Sequence, residues 1–492
     1  MPKPDRAGPP ADVITHLIEI HDANGTLDKL LNSAIGDSFE EQAAKQTGYM
    51  SGYTAAYGWQ PWSWDGGATV MPLADLSAGS GLSDAGAFGG FTEFNGNLYF
   101  TAYDPDNGYE LRQFDGATVS LVDINPGTGS SDAGRFGGFT ELDGNLYFTA
   151  YDPANGYELR QFDGTTVTVL DIRSGSGSSD AGRIGGFTEF NGDLYFTAND
   201  GATGFELHKF DGTGVTLVQN IASGSTSSNP GNFGGFTEFN GNLYFTAFDS
   251  TNGYELRQFD GASVTLVEDL NPGSAWSNAG RFGGFIEFNG ALYFTASDGA
   301  TGFELRKFDG AGVTLVHDIN PESASSSAGL YGFIEFNGAL YFTAYDPANG
   351  SELRKFDGTT VTVLDINPGS GSSQAGTFGG YTEFNGDLYF TADDGTTGYE
   401  LFRLDGETGL IDSFDFLPGL ESSQAQPLGV VNGSLAVGAY IDEDGDGLAD
   451  RYVMLAASGE PATVADFSIV DDGSETFEPG TSIHVTDADL LF

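Results

Sequence analysis

The stretch FTEFNGNLYFTAYDPDNGYELRQFDG, residues 91–116, decides the fold. Asn95-Gly96 separates a short alternating run from the aromatic and β-branched run NLYFTAY, and Asp115-Gly116 separates YELRQF from TVSLVDI. Tight hairpin turns need positive φ at their central residues, which Asn, Asp and Gly adopt with least strain, so both dipeptides are strong hairpin signals. The stretch and its continuation therefore read as four short antiparallel strands. No helical period is sustained through them.

Nearly the same string returns along most of the chain. Its NGxL leucine falls at Leu98, Leu146, Leu194, Leu243, Leu292, Leu340, Leu388 and Leu435, at intervals of 47 to 49 residues. Spacing this even marks one repeated structural unit. A four-stranded meander leaves edges and apolar faces it cannot cover alone, so neighbouring units must stack. Units of this length and strand count match the blades of a β-propeller, in which each sheet buries both faces against its neighbours. The glycine pairs before each first strand, as at Gly89-Gly90 and Gly137-Gly138, suit a crowded centre.

The expected fold is therefore all-β, an eight-bladed propeller with a short, partly helical N-terminal extension. Residues 58–76, GWQPWSWDGGATVMPLADL, align with the third and fourth strands of a unit, and residues 428–440 supply a first and second strand. Joined, they make the eighth, ring-closing blade. Residues 452–467 also read as a worn strand pair and residues 53–58 as a worn second strand, which keeps seven or nine blades open, with a linear β-solenoid as the alternative architecture. The chain divides into an extension over 1–50, a cap or partner-binding segment with helical spacing through Leu27, Leu30, Leu31 and Ala34; a repeat domain over 51–470; and a tail over 471–492.

Composition narrows the function. Acidic residues outnumber basic ones 70 to 18, a formal charge of -52, in 492 residues without cysteine. Such a field repels nucleic acid and anionic lipid and attracts cations, so a nucleic-acid partner is not expected. Disulfides and thiol chemistry are ruled out. No apolar run approaches the ~20 residues that span a bilayer, and MPKPDRAGPP at the start has no apolar signal core, so membrane insertion is not expected.

The repeats offer no catalytic asymmetry: the five histidines are scattered, and HExxH, GxSxG and P-loop patterns are absent. The expectation is a protein that is not an enzyme, with no catalytic residues. The most specific chemical signal is IDEDGDGLADRY, residues 441–452. Asp442, Asp444 and Asp446 alternate, Gly447 permits a tight turn and Asp450 follows, so their oxygens can converge on one Ca2+. Val453 stands where an EF-hand would place Glu, which favours a β-hairpin loop tying two strands together. Each clean unit also carries Asp at the end of its second strand and Glu six residues later, from Asp104/Glu110 to Asp394/Glu400. They read as an Asp that caps the turn amides and a Glu that pairs with a neighbouring Arg, Lys or backbone amide, or as a repeated metal or sugar site. Tyr103, Tyr151, Trp276 and Tyr345 lie near loops, where they either pack strand ends or stack on sugars.

The strings YELRQFDG (109–116, 157–164 and 254–261), FELHKFDG (205–212), FELRKFDG (303–310), SELRKFDG (351–358) and YELFRLDG (399–406) resemble the ELWxxDGT repeat family of bacterial, propeller-like surface or secreted proteins. Arg, His or Phe replaces the family's tryptophan, and the family brings no catalytic set. The loop at 442–450 is similar to calcium loops of integrin-like propellers. The resemblance implies an extracellular or cell-surface location and a structural or adhesion scaffold that self-assembles or meets a surface-layer or appendage partner. A polysaccharide-binding, lectin-like module is the alternative, followed by a carbohydrate-active hydrolase or lyase.

Overall fold

The computed structural model describes residues 47–54, 58–76, 82–419, 421–442, 449, 451–459, 461–470 and 484–485. The helical reading of the N-terminal extension falls outside them. The described chain forms nine four-stranded antiparallel sheets. Blade 2 shows the pattern with Phe91–Phe94, Asn97–Asp104, Gly108–Phe114 and Val119–Val122, whose spatial order is their chain order. Asn95 and Gly96, at φ 50° and 74°, make the first turn as read. The second turn differs. Phe114 pairs with Val119, and Asp115 closes the longer connection by accepting the N–H groups of Ala117 at 2.9 Å and Thr118 at 2.7 Å.

Blades 3 to 8 repeat this plan over 139–170, 187–219, 236–266, 285–315, 333–364 and 381–414. Nine blades, not eight, complete the ring, because the two terminal segments do not share one sheet as expected. Blade 9 is whole, built from Gln426–Val431, Ser434–Ile441, Arg451–Ser458 and Ser468–Ile469. Blade 1 is the composite. Its strands Gly48–Thr54, Gly58–Trp64 and Val70–Pro72 come from the N-terminal side, and His484–Val485 pairs with Gly52 and Tyr53 as the first strand of the sheet. The ring thus recruits residues on both sides of the expected 51–470 boundary. The worn segments pair because an open strand edge leaves backbone donors and acceptors unmet.

The core lies in the seams. Nine buried apolar clusters are present among the described residues, one for each junction between blades. Between blades 2 and 3, Phe94, Tyr99 and Leu111 meet Leu146, Phe148 and Phe162. The closing seam joins Met50, Trp62 and Trp64 of blade 1 to Val431, Ala436 and Met454 of blade 9. Ser434 Oγ also donates to Gly66 O at 2.8 Å there, so the ring is closed rather than an open spiral. One aromatic lock recurs: Tyr99 lies 5.4 Å from Phe162, Tyr147 5.4 Å from Phe210, and Tyr195 5.3 Å from Phe259, each between successive blades. Burying each such ring contributes about 1.5–3 kcal/mol, and the paired geometry adds roughly 0.5–1.5 kcal/mol.

Where a glycine pair precedes a first strand, its first glycine has no room for a side chain. Gly89, at φ 77°, would place a Cβ 2.8 Å from the Gly138 Cα of the next blade. Gly96 also has positive φ but faces open space. Gly96→Ala is therefore expected to cost about 1–2 kcal/mol from backbone strain alone. Gly89→Ala adds the collision, and its thermal midpoint, followed by circular dichroism, should fall clearly below that of Gly96→Ala.

Candidate functional site

On one rim of the ring, in blades 2 to 8, the loop between the second and third strands meets the connection running to the next blade. Blade 3 shows the chemistry. Asp152 ends the strand Asn145–Asp152; its Oδ1 accepts the N–H groups of Ala154 at 2.7 Å and Asn155 at 3.0 Å, and its Oδ2 holds Arg160 Nη2 at 2.6 Å. Glu158 lies on Gly156–Phe162 and is fully buried. Its two oxygens accept Ile172 N–H and Ser179 N–H, each at 2.9 Å, so one carboxylate fixes both ends of the outgoing connection. Tyr157 O–H donates to Asp132 Oδ2 of the preceding connection at 2.5 Å. Thr149 Oγ1 donates to Ala181 O, and Gly182 N–H to Thr197 O of blade 4 at 2.9 Å, which stitches the connection between two blades.

The same roles return around the ring. Glu110 binds Ile124 and Ser131, Glu255 binds Leu270 and Ser277, and Glu352 binds Ile366 and Ser373. Arg112–Asp104, Arg257–Asp249, Arg306–Asp298 and Arg354–Asp346 repeat the ion pair. The Asp/Glu pairs thus act on their own loops as caps and backbone acceptors. Among the described residues, no three His, Asp or Glu side chains are placed to hold a metal ion. The arginine offered to the glutamate in the sequence pairs with the aspartate instead, as its spacing allowed: Arg follows Asp by eight residues in five units.

The two carboxyl classes are driven apart. Burial would raise Asp152, but the Asn155 amide, the Arg160 guanidinium and two backbone N–H groups hold it down at about 2. Asp249, Asp298 and Asp346 sit at about 2 under the same opposition of burial by amides and arginine. Burial dominates at the glutamates and pushes Glu110, Glu158, Glu255, Glu304 and Glu400 up to about 7 against the N–H donors. A folded-state value above the unfolded one means that the folded chain retains protons the unfolded chain releases. The glutamate contribution is present below the ordinary value of 4.5 and is lost as pH rises through about 7. The thermal midpoint is therefore expected to be higher at about pH 5 than at about pH 8. Glu158→Gln should flatten that slope and lower stability throughout, since its amide NH2 would face a backbone N–H; melts across the pH range check both effects.

Of the four residues read as calcium ligands, Asp442 is described and half-buried, while Asp444, Asp446 and Asp450 lie outside the described residues. Their loop joins the paired strands Ser434–Ile441 and Arg451–Ser458, with Ile441 opposite Arg451. That is the hairpin position the reading assigned, and an all-oxygen donor set of this kind suits Ca2+. Calcium is expected to raise the thermal midpoint of the full chain, EDTA to reverse the rise, and Asp444→Asn/Asp446→Asn to abolish it.

The loop aromatics divide. Tyr103 and Tyr151 pack on Tyr109 and Tyr157, each at 5.1 Å. Trp276 rests edge-on against Tyr254 at 5.2 Å yet remains 49% exposed, and Tyr345 is 41% exposed. No described helix is long and apolar enough to cross a membrane.

No family model and no curated protein matches the chain. Solved structures do. A puromycin-hydrolysing peptidase of Mycobacterium tuberculosis is 12% identical over 75% of this chain and 59% of its own, with a TM-score of 0.37. A structure from a study of two prolyl endopeptidases is 12% identical over 75% of this chain and 54% of its own, at 0.36. Saccharomyces cerevisiae Sqt1 is 11% identical over 76% and 92%, at 0.34. This chain thus spans 59% and 54% of the two peptidase structures. These values carry no activity across. The expectation of a protein that is not an enzyme is corrected to the extent that peptidases are among the matched structures, and it is not carried further.

Proposed function

We propose that the chain is an extracellular or cell-surface scaffold for structure or adhesion, of the ELWxxDGT repeat type. The observation that supports it is the rim: near-identical loop pairs recur around a closed ring, their carboxylates engaged in holding their own backbone. Rigid copies of one weak site gain avidity from effective concentration. Calcium at the 442–450 loop would brace the blade beside the closing seam. Self-assembly, or contact with a surface-layer or appendage partner, would use the same regular surface.

Exposed Trp276 and Tyr345 favour a polysaccharide as what the rim meets, because an aromatic face covers the apolar face of a sugar ring. With a formal charge of -52, an uncharged polymer is preferred to an acidic one. Pull-down on insoluble neutral polysaccharides is expected to retain the full chain, and Trp276→Ala/Tyr345→Ala to reduce retention about tenfold without shifting the melt. Retention that is unchanged in the double variant would reject the aromatic rim as the contact. Release of soluble sugar fragments would place the chain among carbohydrate-active enzymes instead.

A further inference from the structure

Blade 4 breaks the repeat at one buried position. Where blades 2, 3, 5, 6 and 7 carry Arg112, Arg160, Arg257, Arg306 and Arg354 on the third strand, blade 4 carries His208. Each arginine reaches the aspartate that ends its second strand or opens the following loop. Arg160, Arg306 and Arg354 also donate to the carbonyls of Ala150, Ala296 and Ala344. The aspartate is retained in blade 4 as Asp200. Its Oδ1 accepts Ala202 N–H at 2.8 Å and Thr203 N–H at 2.7 Å, but no donor meets its Oδ2 among the described residues.

A half-open pocket of about 420 Å³ lies beside His208 and Asp200, the two positions that an arginine here would join. It opens between the fourth strand of blade 3, Val167–Leu170, and the third and fourth strands of blade 4, Phe205–Phe210 and Val215–Gln219; His208, Asp200, Asp171, Val169 and Leu217 line it. The ladder beside it is irregular, with a bulge between Leu207 and His208. His208 is 2% exposed; its ring lies 18° from parallel to Phe196, and Nδ1 is 3.0 Å from Glu206 O. With that nitrogen donating, Nε2 is an acceptor, and burial, the larger influence, lowers the imidazole pKa and keeps the ring neutral. Arg173 passes Gly201 nearby but donates to Ser178 O at 3.3 Å and makes no ion pair with Asp200 among the described residues. Blade 8 also lacks the arginine, and there the larger Phe402 ring stacks on Phe390 in the same pose.

We propose that this cavity is a binding site for the guanidinium group of a small molecule, which would take the position that the chain's own arginines take in five sister blades. The size falls in the range of small-ligand pockets. The planar fork of a guanidinium suits a carboxylate oxygen beside a second acceptor, here Asp200 Oδ2 and His208 Nε2. Asp171 adds a second negative charge at the wall, and the aliphatic wall of Val169 and Leu217 suits the ligand's carbon chain.

Titration of the full chain with butylguanidine, in salt high enough to screen general attraction to an acidic surface, tests the proposal. Saturable heat and a shift of the His208 ring resonance are expected, with butylamine at least tenfold weaker. Asp200→Asn should weaken binding at least tenfold. His208→Arg should abolish it, because the new guanidinium refills the position. Absence of saturable binding, equal affinity for butylamine, or equal binding by Asp200→Asn would overturn the proposal, and the last of these decides it even where His208→Arg does not fold.

Discussion

The structure depends on one contact made at five successive seams, from blades 2 and 3 to blades 6 and 7: the tyrosine of a second strand set against the phenylalanine that precedes the Asp-Gly turn of the next blade. Tyr99 with Phe162, Tyr195 with Phe259 and Tyr293 with Phe356 show it at 5.3 to 5.5 Å. Each pair is buried only because the neighbouring blade is present, so no blade is stable by itself. Closure follows from the same constraint. An open end would leave one aromatic face and one strand edge in water, and Trp62, Trp64 and Met50 cover that face against blade 9.

Buried carboxylates do for the loops what the aromatics do for the sheets. A connection rich in Ser, Gly and Asp has few apolar side chains to anchor it, such as Ile172 and Ala181, and its amide groups near the seam are cut off from water. Glu158 meets two of them at once, and the cost of burying its charge appears as its upward shift. Asp152 is less buried and better supplied with donors, and it moves the other way. Two acids six residues apart thus respond oppositely to pH, and the rim is rigid because both are occupied.

Repetition also makes departures informative. A histidine in an irregular protein says little, whereas His208 stands against five arginines in the same register and leaves their aspartate behind. The sister blades state which chemistry fits the space. The same comparison explains why Phe402 marks no equivalent site: its ring supplies bulk where His208 supplies an acceptor beside a cavity.

Much of this was legible in residues 91–116 alone. Asn-Gly turns, two-residue alternation and an even period set the strands, their order within a blade and the aromatic core, because these follow from local backbone preference and from the need to bury what one hairpin cannot. The Asp and Glu roles were legible as alternatives, and the Asp–Arg pairing was visible as a spacing without a meaning. The number of blades was decided only in three dimensions, since Gly48–Thr54 and Arg451–Ser458 carry little of the repeat and His484–Val485 becomes a strand only by meeting an edge distant in sequence. The cavity at His208 likewise belongs to the tertiary structure: a shortened side chain matters only where two blades press together and nothing else moves in to fill the space.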